Sequence, residues 1–326
     1  MPELDAPPIG HSQTVAAPHP AVNLRGLGNH VFLKWFALVN AGVLLTTVFW
    51  MGSLSLAFPI VGTGGAFLAL LLSRWLARRA HQISIIDPQK FNSDRERALH
   101  GIVAELAGRA GLPVTPAVGI YHSADMNAFA TGPSQSRSMV AFSSALLEAL
   151  PENELRAVAA HEIAHIACRD MLVMVLLQGV VNTIVLAATV PIAVINWVTN
   201  QGDSYSWLLD MTLRLTRVFA AVVLAFLGSL AVKAFSRRRE YRADALAAQL
   251  VGPAPMAAAL RRVSEDHTPI PSRQMAYAAL KFSGRPALLE WFSTHPAMEK
   301  RIAALESLEN TAQTATVARD TQGEQT

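Results

Sequence analysis

The sequence predicts an α-helical multi-pass membrane protein with an α+β domain on the cytoplasmic side. Three observations carry that reading. Hydrophobic residues make up 52% of the chain and charged residues only 16%, against about 25% charged in ordinary globular domains. Long uncharged runs interrupt the chain, and its basic residues gather beside those runs, as they do at membrane surfaces. The formal charge of +3 is too small to imply nucleic acid as a partner. The single cysteine, Cys168, excludes an internal disulfide framework and fits a reducing compartment.

Residues 1–30 are rich in Pro, Gly and His, and no apolar stretch begins before Val31; they predict a disordered arm rather than a cleavable signal. No charge occurs between Lys34 and Arg74. At 1.5 Å per residue that length suits two helices and a tight turn, a transmembrane hairpin over 31–76. A third span is expected over 171–199, inside the uncharged run between Asp170 and Asp203. A fourth is expected over 213–235. Its apolar centre, Val218 to Val232, is short unless Arg217 and Lys233 snorkel, and a buried core helix would have the same length. Arg74, Arg78 and Arg79 follow the second span, and Arg237, Arg238 and Arg239 follow the fourth. This bias puts both termini in the cytoplasm. Segments 77–170 and 236–305 then share one side and build one domain between them, and 306–326 is expected to be a loose polar tail.

Within that domain, DRERALHGIVAELAGRAGLP (94–113) places Leu99, Ile102, Val103 and Leu106 at helical spacing, with Gly111 as a C-terminal cap. PAVGIYHS, NAFATG and SMVAFS predict short strands. PENELRAVAAHEIAHIAC predicts a helix with acids at its start and an apolar stripe of Leu155, Val158, Ala159 and Ile163. SRRREYRADALAAQLVG predicts a further helix ending at Gly252. Strands and helices in this order suggest a small α+β domain.

The chemistry concentrates in HEIAH (161–165). Residues four apart share a helix face, so His161 and His165 can offer nitrogens to one tetrahedral zinc ion. Glu162 lies about 100° round the helix, able to reach water beside the metal without being a ligand. Zinc acidifies such a water, and a neighbouring carboxylate can take its proton. Two histidines on the exposed face of an amphipathic helix would read the same. A catalytic zinc needs a third ligand, for which Glu240 in RREYRAD is the candidate; Asp244, four residues on, could hydrogen-bond the outer nitrogen of a ligating imidazole. Both acids could equally pair with the arginines around them on a solvated face.

Four segments in order, MNAFATG (126–132), HEIAHIACRDM (161–171), SRRREYRADALAAQLVG (236–252) and STHPAMEKRIAAL (293–305), with the predicted spans around them, closely resemble the HtpX-type bacterial membrane zinc metalloproteases of the heat-shock response. The wider family includes the CAAX-processing proteases of eukaryotic membranes. The resemblance covers roughly 31–305 and leaves out both tails; the N-terminal arm and a shortened loop between the first two spans depart from the family. It implies a zincin-like (gluzincin) metalloprotease domain holding one Zn²⁺ per chain through His161, His165 and Glu240. It further implies Glu162 as general base and acid, Asp244 behind a ligating histidine, and an extended strand, Asn127, Ala128, Phe129 and Ala130, that holds substrate by β-augmentation. His295 and Arg301 match the family's H-P-x-x-x-x-R motif. His295 is expected to share the negative charge that develops on the attacked carbonyl, with Arg301 orienting it or adding charge. The implied substrates are unfolded or damaged membrane proteins, the partner surface is the lipid bilayer, and the location is the bacterial inner membrane.

Two rival readings have opposing signals. A metal site inside the bilayer is disfavoured because Arg156, Arg169 and Asp170 bracket the motif helix, and charge is costly in lipid. A silent membrane scaffold is disfavoured because every proposed catalytic position is present. Cys168 reads as a packed thiol, and His81, His100, His122 and His267 lack spaced partners.

Overall fold

The computed structural model describes residues 57–201, 206–265 and 298–323. The N-terminal arm, the first span of the expected hairpin and His295 lie outside the described residues. Helix α1 (Ala57–Ala80) is followed by β1 (Ser84–Ile85), α2 (Asp94–Arg109), β2 (Ala117–Tyr121), β3 (Ala128–Thr131), β4 (Met139–Ser143) and α3 (Ser144–Ala149). Then come α4 (Glu152–Ala167), α5 (Asp170–Thr199), α6 (Trp207–Val251), α7 (Pro253–Glu265) and α8 (Met298–Gly323).

Local sequence explains the helix ends. The Ser93 hydroxyl accepts from the Glu96 amide to start α2, and the Glu96 carboxylate reaches back to the Asn92 amide at 2.8 Å, a variant of the reciprocal capping box. Gly111, at φ +69°, ends it: its amide bonds Gly108 and that of Leu112 bonds Ala107, the paired bonds of a Schellman turn.

The three strands anticipated from sequence join β1 in a sheet of order β1-β2-β4-β3. β2 and β4 run parallel, from Ala117 opposite Met139 to Tyr121 opposite Ser143. β3 returns antiparallel, Ala128 opposite Phe142 and Thr131 opposite Met139, and so occupies one end of the sheet. Both faces are covered. Ala128, Ala130, Val140 and Phe142 join Leu99, Val103, Val158 and Ile163 in the main core. Tyr121, Phe129, Met139 and Ala141 pack with Ile83 and Ala77 on the other face.

Helix α4 is more enclosed than a one-sided stripe implies: every residue from Ala157 to Ile166 is buried. It lies between the sheet and α2 on one side and α6 and α7 on the other, and alanines at 157, 159, 160 and 164 permit that close approach. Its burial inside this packed domain places the motif helix among protein rather than lipid.

Two described helices, α5 and α6, are long and apolar enough to cross a membrane. Their outer faces expose Trp197, Phe219, Val222 and Leu227. α5 packs between α1 and α6. A Cβ on Gly179 would lie 2.8 Å from Thr63 Oγ1, and one on Gly228 would lie 2.3 Å from Val181 Cγ1, so both contacts depend on glycine. Helix α6 differs from expectation. A span over 213–235 and a separate soluble helix fuse into one rod of 45 residues, about 67 Å long. Neither proline nor glycine stands between Gly228 and Gly252, so nothing in the backbone ends the helix at the membrane surface. Helix α8 likewise runs to Gly323, past the point where a loose tail was expected, through a stretch without proline.

Candidate metal centre

Helices α4 and α6 pack together and bring distant parts of the chain to one point. His161 and His165, a turn apart on α4, have their Nε2 atoms 3.1 Å apart. From α6, Glu240 Oε2 stands 3.5 Å from His161 Nε2, and Oε1 stands 3.7 Å from His165 Nε2. One ligand atom from each residue lies within 4.8 Å of the others, and all three residues are buried.

The far side of each imidazole is held by a carboxylate. His161 Nδ1 is 2.9 Å from Asp244 Oδ1, and His165 Nδ1 is 2.7 Å from Asp170 Oδ2. An Nδ1–H facing a carboxylate fixes the tautomer and leaves the lone pair on Nε2. Two such lone pairs 3.1 Å apart repel unless a cation sits against them. Two neutral imidazoles and one carboxylate, each backed and buried, are a donor set suited to a divalent metal of zinc's type. The same demand appears in the protonation chemistry. Burial works against the His161 imidazolium, but hydrogen bonds to Asp244 and Glu240 and the charge of Asp244 outweigh it and push its pKa up to about 9. The cluster calls for positive charge, which a proton or a metal can supply.

The carboxylates are themselves anchored. Arg301, fully buried, donates to Asp244 through Nε at 2.7 Å and Nη2 at 2.6 Å. Burial would raise the Asp244 pKa, but the charge and hydrogen bonds of Arg301, with His161, outweigh it and hold it at about 2. Arg301 Nη1 also stands 3.6 Å from Glu240 Oε2. Asp170, the first residue of α5, is fully buried and pairs with Arg242 of α6, while Arg239 Nη1 donates to its carbonyl at 3.5 Å. It reaches His165 because Arg169 takes a left-handed conformation, φ 57° and ψ 36°, turning the chain sharply between α4 and α5.

Of the residues singled out from sequence, His161, His165, Glu240, Asp244 and Arg301 meet here, and Glu162 is buried beside them on α4. Arg301 touches Asp244 and Glu240; His295, its expected companion, lies outside the described residues. Asn127 is 7% exposed. Its amide donates to Ser143 Oγ at 3.0 Å and its carbonyl accepts from the Tyr121 hydroxyl at 3.4 Å. Its side-chain Oδ1 is buried with no hydrogen-bond donor among the described residues. Ala128, Phe129 and Ala130 form β3, which packs on α4. No described strand lies on the outer edge of β3, yet these three residues are at most 4% exposed. Burial pushes the Cys168 thiol up to about 11, which keeps it protonated at neutral pH.

Sequence reasoning missed Asp170, Arg239 and Arg242 as parts of the site. The one local signal was an acid five residues after His165, which on a continuous helix would face elsewhere.

The model of peptidase family M48 matches residues 93–309. Protease HtpX of Shewanella sp. (strain W3-18-1) is 41% identical over 261 residues, covering 79% of this chain and 89% of that one. Protease HtpX of Shewanella oneidensis is 40% identical over the same length, with the same coverage of both chains. Among solved structures, S. mikatae Ste24p superposes with a TM-score of 0.51 at 17% identity, covering 83% of this chain and 67% of that one. The last likeness is one of fold.

Proposed function

The chain belongs to peptidase family M48 and is a metalloprotease, and from that premise we propose that it is a zinc endopeptidase cleaving damaged or misfolded membrane proteins at the cytoplasmic face of the bacterial inner membrane. The observation that carries this reading is the buried His161–His165–Glu240 cluster, built partly on α6, a helix long and apolar enough to cross a membrane. The arginines that end the predicted spans support the cytoplasmic side.

His161, His165 and Glu240 would hold the ion, which when bound supplies a Lewis acid that polarises a peptide carbonyl. Asp244 and Asp170 keep both imidazoles in the Nδ1–H tautomer throughout. Glu162 takes a proton from the attacking water onto its carboxylate as the new C–O bond forms, and then returns it to the amine nitrogen, so that the peptide C–N bond breaks and the amine leaves neutral. His295 donates toward the carbonyl oxygen as its charge develops, and Arg301 orients the site through Asp244. Substrate lies extended along the outer edge of β3, from Asn127 to Ala130, pairing backbone to backbone. Since Ala128 to Ala130 are at most 4% exposed, that edge has to be uncovered before a peptide can pair with it.

The test is zinc quantification with a casein-cleavage assay on the full chain in detergent. Wild type should carry about one zinc per chain and lose activity to chelators. Glu162→Gln should keep the metal and lose proteolysis, whereas His161→Ala, His165→Ala and Glu240→Ala should lose both. Turnover by Glu162→Gln, or tight zinc in Glu240→Ala, refutes the assignment concerned.

A further inference from the structure

Helices α1, α5 and α6 leave a groove of about 400 Å³ between them. Helix α5 is its floor: it packs against both of the others, while α1 and α6 scarcely touch each other. Close contacts fix the two banks, Thr63 of α1 against Gly179 and Val181 of α5 against Gly228. The lining is mixed. Val61, Val185 and Ala225 are apolar, but Gln178, Asn182 and Ser229 bring polar groups to the same surface. Gln178 Nε2 donates to Asn182 Oδ1 at 2.9 Å, and the Gln178 side chain is exposed. Helix α5 is long and apolar enough to cross a membrane, and hydrocarbon offers an amide neither donor nor acceptor. An amide pair on that face has to meet polar protein surface.

The chain carries a segment suited to the groove. Helix α1 begins at Ala57, and Val61, one turn in, stands in the groove wall. The first span expected from sequence ends just before it, and only Gly52 to Leu56 separate the two. Helices joined by so few residues lie antiparallel, side by side. A span tethered this closely is also present at a far higher effective concentration than a second copy of the protein. Its polar content agrees in kind and in depth. Asn40 is the one carboxamide between Lys34 and Arg74. It stands six residues past Lys34, about 9 Å along a helix. Ser229 stands four residues before Lys233, about 6 Å. With both lysines at the cytoplasmic membrane surface, Asn40 comes within about 3 Å of the depth of the polar patch.

We propose that this groove is the docking site for the chain's own first span, residues 31–51, and that Asn40 hydrogen-bonds there with the Gln178–Asn182 amide pair. The docked span completes a four-helix bundle in which α5 is held on three sides. The first residue of α5 is Asp170, which backs His165, so the bundle braces the metal centre from the membrane side. The inference is independent of which substrate the peptidase cleaves.

The experiment is cysteine cross-linking in the full chain in membranes, with the single native cysteine removed as Cys168→Ser. Ser229→Cys is combined in turn with cysteine at each position from 36 to 44, and treated with an oxidant and, in parallel, a short bifunctional maleimide. Positions 36, 37, 40, 43 and 44 share the helix face of Asn40 and should cross-link within one chain, whereas 38 and 42, on the opposite face, should not. Cross-links that join two chains instead would give the groove to a second copy and overturn the proposal. So would cross-linking at every position alike, or none with either reagent. The amide contact has its own test. The effects of Asn40→Leu and Gln178→Leu on the denaturation midpoint should be non-additive in the double variant, and strictly additive effects would overturn the hydrogen bond.

Discussion

Replacing Asp170 with alanine removes the acceptor that holds His165 Nδ1 at 2.7 Å without touching any residue of the metal cluster. Asp170 is fully buried, so no water replaces the lost oxygen at low cost. A hydrogen bond to a charged group contributes about 1.5–3 kcal/mol, and partners behind metal-ligating histidines contribute about 10- to 100-fold in metal affinity, which is about 1.4–2.8 kcal/mol. The two scales agree. The upper part of the range is expected here, because Arg242 loses its anion and leaves an uncompensated guanidinium near a site that must take up a cation. Asp170→Asn keeps an acceptor for Nδ1–H but loses the charge, and should fall about tenfold. The assay is competition for zinc against a chelator of known affinity, with circular dichroism as a check on folding. A folded Asp170→Ala protein that binds zinc within twofold of wild type would refute the argument that Asp170 sets the tautomer and basicity of His165.

Three further outcomes are expected. Arg301→Met leaves the buried Asp244 carboxylate without its bidentate partner; it should lower stability by about 3–5 kcal/mol, read as a fall in denaturation midpoint, and a midpoint near wild type would mean that the pair contributes little. His295→Ala should retain zinc but lose about a hundred- to a thousandfold in kcat, the cost of an oxyanion donor; an unchanged kcat would reduce His295 to a structural residue. Cysteine at position 204 should react with a membrane-impermeant thiol reagent in intact cells while cysteine at 134 should not, and labelling at both positions would overturn the cytoplasmic placement of the domain.

Much of this architecture was legible along the chain because it depends on neighbours in sequence. The i,i+4 spacing of His161 and His165, and again of Glu240 and Asp244, puts each pair on one helix face wherever that helix packs. The short strands 117–121, 128–131 and 139–143 announced themselves by β-branched and aromatic residues between turns, and Gly111 marked the end of α2 because its positive φ suits glycine. The uncharged run after Asp170 was long enough to become a helix able to cross a membrane on length alone.

What tertiary structure alone decided is how those pieces face one another. Residue spacing says nothing about a contact across 79 positions, so the meeting of His161 with Glu240 had to come from α4 packing on α6, and from resemblance before that. Arg301 carried no local sign of burial; a guanidinium is tolerated there only because Asp244 and Glu240 converge on it. Asp170 is the plainest case. Along a regular helix it would lie well round from His165, and it becomes the partner of His165 only because Arg169 adopts a left-handed turn that no glycine or asparagine announced. Periodicity encodes the face of an element, but a break between two elements and the pairing of distant charges are set by the packing that repays their strain and desolvation.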